Sequence, residues 1–148
     1  MMKSTESARR RSTEELSTLV QEAEQLNEVF AACPEEFKAL GFPQILAAHL
    51  EAKGLGAVEL GERALLSKSF TYQLLSGDRV PGRDIVLRLA LALGLTVEET
   101  QAMLRAACRG ALYPRVPRDA VILNALSRHL SLTDTAELLT ARGEVPLV

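Results

Sequence analysis

Glu59-Leu60-Gly61-Glu62-Arg63-Ala64-Leu65-Leu66-Ser67-Lys68-Ser69-Phe70-Thr71-Tyr72-Gln73-Leu74-Leu75-Ser76-Gly77 is two short helices with a tight turn between them. The first runs from about Ala57 to Ala64. Ser67 is placed to cap the second, which spans Lys68 to about Ser76 and stops at Gly77. Helical spacing turns Leu60, Ala64, Leu66, Thr71 and Leu74 inward. It turns Lys68, Ser69, Tyr72, Gln73 and Ser76 outward. Gly61 is small enough for the helices to cross closely. A short second helix, braced by a first and polar on its free face, is the shape that can enter a DNA major groove.

Outward from this pair, the signals remain helical. Pro43 opens a preceding helix that runs to about Lys53, with Ile45, Leu46, Leu50 and His49 on its apolar side and Gly54 at its end. Asp78 to Gly82 is a loop by its Pro and Gly. From Asp84 the chain is apolar on nearly every side up to Gly94, interrupted by Arg88, and such a helix is buried in a core or an interface. Thr96-Val97-Glu98-Glu99 is a capping box that starts a helix to about Ala107. Towards the N-terminus, Ser12-Thr13-Glu14-Glu15 is another, before a helix carrying Leu16, Leu19, Val20 and Ala23. Asn27 to Ala32 either continues that helix or forms a second one. Pro34 to Leu40 adds one or two turns that Gly41 ends.

An internal repeat follows. Arg83-Asp84-Ile85-Val86 matches Arg118-Asp119-Ala120-Val121, 35 positions on. Leu95-Thr96 matches Leu130-Ser131, Glu99-Thr100 matches Asp134-Thr135, and Leu104 and Ala106 match Leu139 and Ala141. Two readings are open: a duplicated helical hairpin that buries its apolar faces by stacking, or chance likeness between two Leu-rich helix pairs. We read a duplication, over 83–114 and 118–148. Between the copies, the prolines of Tyr113-Pro114-Arg115-Val116-Pro117-Arg118 predict a stiff, extended link, either a spacer or a contact surface.

The segment from Pro43 to about Leu95 resembles the XRE/Cro (phage-repressor-type) helix-turn-helix family. The residues that carry the likeness are Gly61, Leu66, Ser67, Lys68-Ser69, Leu74, Gly77, Arg79, Pro81 and Leu93-Gly94-Leu95. The resemblance implies an all-α fold with a helix-turn-helix bundle over residues 42–95; the chain's own signals add an N-terminal helical extension (1–41) and a C-terminal helical region (96–148) that continues the bundle, with the hairpin repeat over 83–114 and 118–148. The resemblance also implies double-stranded DNA as partner. Lys68, Ser69 and Gln73 fall where the family reads base edges, and Gln suits adenine while Lys suits guanine. Ser67, Tyr72, Ser76 and Arg79 would meet the DNA backbone. Three positions depart from the family's pattern. Gly56-Ala57 replaces a Ser/Thr-Gln phosphate clamp, Leu65 replaces the turn glycine, and Leu75 replaces a glutamate, which predicts additional packing there.

Composition bounds the rest. The chain has 148 residues, 47% hydrophobic, enough for a folded core. The net charge is −2, and its distribution decides more than its sum. Residues 1–40 hold 5 basic and 8 acidic side chains, whereas residues 41–82 hold 4 of each. Phosphate-driven affinity of a monomer should therefore be modest. Cys33, Cys108, His49 and His129 lack ligand spacing, so no metal or cofactor is expected. The basic start, including Arg9-Arg10-Arg11, has no apolar run behind it, and no stretch suits a membrane span; a cytoplasmic protein without membrane contact is expected. No catalytic spacing points to an enzyme.

The resulting expectation is a sequence-specific transcriptional regulator acting as a homodimer, since one short helix reads few bases. The competing expectation is an interaction adaptor, or antitoxin-like module, that keeps the fold without binding DNA. Its protein partner would bind the acidic extension or the C-terminal hairpins.

Overall fold

The structure is a computed structural model that describes residues 12–22 and 41–148. The expected helices over Asn27–Ala32 and Pro34–Leu40, the arginine run at 9–11, and Cys33 lie outside the described residues. The chain divides into two compact units, Met1–Leu40 and Gly41–Val148. Eight α-helices and no strand occur among the described residues.

In the first unit, α1 spans Thr13–Glu22. Its capping box is formed: the Ser12 N–H donates to Glu15 Oε2 at 3.2 Å, and the Glu15 N–H donates to Ser12 Oγ at 3.1 Å. Two of the donors that a helix start leaves unpaired are thereby satisfied.

The second unit holds α2 (Phe42–Lys53), α3 (Ala57–Ala64), α4 (Lys68–Ser76), α5 (Arg83–Leu93), α6 (Val97–Ala106), α7 (Pro117–Ser127) and α8 (Leu132–Ala141). Helix α2 begins one residue before the expected proline, and Phe42 is buried with Leu46 and Leu50. Ile45 and His49, expected on the same apolar side, are only half-buried. His49 Nδ1 lies 3.9 Å from Glu99 Oε2 on α6. Glu99 also closes the second capping box, accepting from the Thr96 N–H at 2.9 Å while its own N–H donates to Thr96 Oγ1 at 3.1 Å. That backbone bond holds the Glu99 carboxyl below the ordinary range.

Helix α5 is the hub, as its all-round apolarity predicts. Val86, Leu87, Leu89, Ala90, Leu91 and Leu93 are buried. It packs on α3 and α2 on one side, on α6 as a hairpin partner, and on α8. Arg88, its one basic interruption, donates to the carbonyls of Ala64 and Leu65. Those oxygens end α3 and have no helical partner, so the guanidinium ties the hub to the turn of the helix pair.

The 35-residue repeat is repeated in detail. The hydroxyls of Thr96 and Ser131 cap α6 and α8. Thr100 and Thr135 are both fully buried, and each donates its hydroxyl to the carbonyl four residues back at 2.8 Å. The residues after α5 and α7, Gly94 (φ 65°) and His129 (φ 55°), are both left-handed. So are Cys108 (φ 56°) and Gly143 (φ 75°) beyond α6 and α8. In each pair only one copy has the glycine that this conformation favours. The backbone conformation recurs where the glycine does not.

The copies do not stack by translation, as a solenoid would. Helix α6 packs on α7, and α5 packs on α8. Arg83 donates to Asp119 at 3.0 and 2.8 Å, and Arg118 donates to Asp84 at 2.9 and 3.1 Å. Each arginine thus reaches the other copy's aspartate, the reciprocity of an isologous, two-fold interface. Arg83 also donates to the carbonyls of Gly110 and Ala111, and Arg118 to those of Val145 and Pro146, again 35 residues apart. The two hairpins form an internal pseudo-dimer, each packed on the other.

The link between them is likewise not extended. The Val116 N–H donates to Tyr113 O at 3.0 Å, closing a turn over Pro114 and Arg115. Proline at the second position of a turn pre-sets the required φ. Pro117 then opens α7, where its missing N–H costs no bond.

Candidate DNA interface

Helices α3 and α4 cross at Gly61. A Cβ there would lie 2.9 Å from Thr71 Oγ1 and 3.1 Å from the Leu66 carbonyl oxygen. Both atoms are held: Thr71 Oγ1 donates to Ser67 O at 2.9 Å, and the Leu66 N–H bonds back to Gly61 O at 2.8 Å. The small residue lets the helices approach within backbone contact.

The turn keeps the geometry of a glycine turn without the glycine. Leu65 has φ 58° and ψ 43°, and the residue is 55% exposed. An L-residue in this conformation costs about 1–2 kcal/mol. The bonds from Arg88 to Ala64 and Leu65 hold it in place. Leu65→Gly should therefore raise stability, by roughly 0.5 kcal/mol after glycine's unfolded-state entropy is deducted. Urea unfolding would measure it; a loss of stability would mean that the leucine side chain contributes packing.

Helix α4 presents its faces as the spacing predicts. Thr71 and Leu74 are buried, and Phe70 and Leu75 are half-buried against the core. Leu75 packs inward, which accounts for an apolar residue in place of the family's glutamate. Lys68, Ser69, Tyr72 and Ser76 are exposed, and Gln73 is half-buried. These five residues and Asp78 line one open concavity of about 690 Å³.

Several predicted contacts have local duties. Ser67 Oγ accepts from the Phe70 N–H at 3.1 Å and caps the helix, as expected. Ser76 Oγ donates to Gln73 O at 3.1 Å and accepts from the Asp78 N–H at 3.3 Å, so it shapes the end of α4. The Arg79 guanidinium lies 6.0 Å above the Phe70 ring. This cation–π contact holds the loop against α4. Asp78 was not anticipated from sequence. It follows the capping Gly77, and loop residues carry no periodic signal that assigns them a face. Helix α3 starts at Gly56 without a side-chain cap, so no hydroxyl or amide stands where the family's clamp would.

Residues 38–103 match the family model described as a helix-turn-helix domain. The segment is a helix-turn-helix domain of the XRE-like group. The helix-turn-helix match runs past the second motif helix through α5 and most of α6, so the first hairpin of the repeat lies largely inside it. Neither a curated protein nor a solved structure matches the chain. Among the described residues no helix is long and apolar enough to cross a membrane, and no group of three or more His, Cys, Asp or Glu side chains could hold a metal ion.

Proposed function

We propose that this protein is a sequence-specific DNA-binding transcriptional regulator of the cytoplasm, acting as a homodimer. The observation that carries the reading is the free face of α4, where Lys68, Ser69 and Tyr72 are exposed and Gln73 is half-buried while Thr71 and Leu74 anchor the opposite face. In this reading α4 enters the major groove. Lys68, Ser69 and Gln73 meet base edges, and Ser67, Tyr72, Ser76 and Arg79 meet phosphates. A nine-residue helix spans too few base pairs for a unique site, so two protomers on a palindrome supply the missing specificity.

Selection of bound fragments from random duplex DNA, followed by affinity at two salt concentrations, tests the reading. An enriched palindrome is expected. Its salt slope should be shallow, roughly −2 to −4 for two protomers, because each brings only Lys68 and Arg79 to the DNA in this reading, and Asp78 lines the same concavity as Lys68. No enrichment, with no binding at low salt, would refute it. Lys68→Ala and Gln73→Ala should each weaken operator binding by about 1–3 kcal/mol without changing the melting temperature. Operator affinity unchanged in both would remove α4 as the reading helix.

A further inference from the structure

The pseudo-dimer lets one hairpin serve as a template for the other. Positions at the shared interface are buried in both copies: Leu87 and Ile122, Ala90 and Ala125, Leu104 and Leu139. A second set is buried in the first copy alone. Val86, Leu89, Leu93, Met103 and Ala107 are buried. Their counterparts Val121 and Leu138 are half-buried, and Asn124, Arg128 and Arg142 are exposed. The first copy is covered there by what the second copy lacks, the packing of α2 and α3. The same five counterparts, together with Pro117, Ala120 and Glu144, line an open groove of about 470 Å³ between α7 and α8. The groove is therefore the register equivalent of a seat that, on the first hairpin, receives helices.

The substitutions say what a second occupant would be. The floor stays apolar, with Val121, Leu138 and Ala120. Leu93 and Ala107 are replaced by Arg128 and Arg142, which places two guanidiniums at the groove against the single carboxylate of Glu144. Helices α2 and α3 of a second copy are already committed to their own α5 and α6. We propose that the α7–α8 groove is a docking site for an acidic amphipathic helix of a protein partner. Apolar side chains three and four residues apart would rest on Val121 and Leu138, and flanking Asp or Glu would pair with Arg128 and Arg142.

Panning a displayed library of random single helices against the full chain tests this. The expected outcome is enrichment of amphipathic helices with Asp or Glu beside the apolar stripe. A synthetic peptide of an enriched sequence should bind the full chain and lose at least tenfold in affinity when Arg128→Glu and Arg142→Glu are combined. Arg128→Ser with Arg142→Ser, which avoids placing acid at the end of α8, should lose most of that affinity at an unchanged melting temperature. Lys68→Ala should bind the peptide as the parent does. Failure to enrich any helix, enrichment of basic helices, or binding indifferent to both double variants would overturn the proposal, leaving the arginines as a solvated cap of the hairpin pair. Self-association that either double variant abolishes would overturn it too, by making a second copy the occupant.

Discussion

Asp119→Ala should lower the unfolding free energy by about 2–4 kcal/mol, while Asp84→Ala should cost less than about 1 kcal/mol. The two aspartates are equivalents in the repeat, and each receives two hydrogen bonds from the other copy's arginine. Their surroundings differ. The Asp119 side chain is 6% exposed, and Asp84 is 48% exposed. Asp119 also accepts the Tyr113 N–H at 2.9 Å, fixing the start of the inter-hairpin turn. Its removal leaves the Arg83 guanidinium only the Gly110 and Ala111 carbonyls and strands the Tyr113 N–H, whereas water can replace Asp84. Urea unfolding of the two variants measures the contrast. Equal losses would mean that the pseudo-symmetry, and not burial, sets the strength of each pair.

The same environment makes a pH prediction. Burial pushes the Asp119 carboxyl up, but the Arg83 hydrogen bonds, the Tyr113 N–H and the charges of Arg83 and Arg118 outweigh it and hold it below the ordinary carboxylate range. A depressed folded-state pKa contributes stability that is fully present above the unfolded value, about pH 4, and is lost as pH falls through the folded value. The gap between the parent and Asp119→Ala should therefore be constant near neutrality and should narrow below about pH 4. A gap that widens in acid would contradict the assignment.

Gly61→Val should cost about 3 kcal/mol and should abolish operator binding at temperatures where the fold survives. The Cβ alone would meet Thr71 Oγ1 at 2.9 Å and the Leu66 carbonyl at 3.1 Å. Valine adds two methyl groups at a site with no exit, because Gly61 is buried and the carbonyl belongs to the turn. Relief requires α4 to move off α3, which displaces Lys68 and Gln73 from any groove that their present spacing fits. Thermal unfolding gives the first half of the prediction and gel-shift titration the second. Full operator affinity in a destabilised variant would show that the α3–α4 angle is not what presents the reading face.

Much of this was legible along the chain. The bounds of α4 follow from the Ser67 cap and the Gly77 stop, and the close crossing of α3 and α4 follows from Gly61. The buried hub follows from the apolar run after Asp84, and both capping boxes follow from Ser/Thr and Glu at the right spacing. These are local matters: a cap is a bond between residues three apart, and a helix face is a periodicity. The outward side chains of α4 were placed by the same argument, since burial of Thr71 and Leu74 leaves Lys68, Ser69 and Tyr72 no other side.

What tertiary structure alone decided involves partners far apart in sequence. Nothing near Leu65 announces a left-handed turn, because its stabilising guanidinium comes from Arg88, more than twenty residues on. His129 and Cys108 are left-handed without a glycine to announce it, each followed by a bond back to the preceding helix, from the Leu130 N–H to Ala125 O at 3.0 Å and from the Arg109 N–H to Leu104 O at 2.8 Å. The repeat of Arg83-Asp84 at Arg118-Asp119 is visible in the letters, but the letters do not distinguish pairing within a copy from exchange between copies. Only the packing of α5 on α8 and α6 on α7 brings each arginine to the opposite aspartate. Sequence by itself determined the helices, their caps and the polar face of α4, since those depend on residues within a turn or two. The pseudo-two-fold, the burial of Asp119 and the open groove on the second hairpin depend on which surfaces meet, and that is settled by shape and burial across the whole unit.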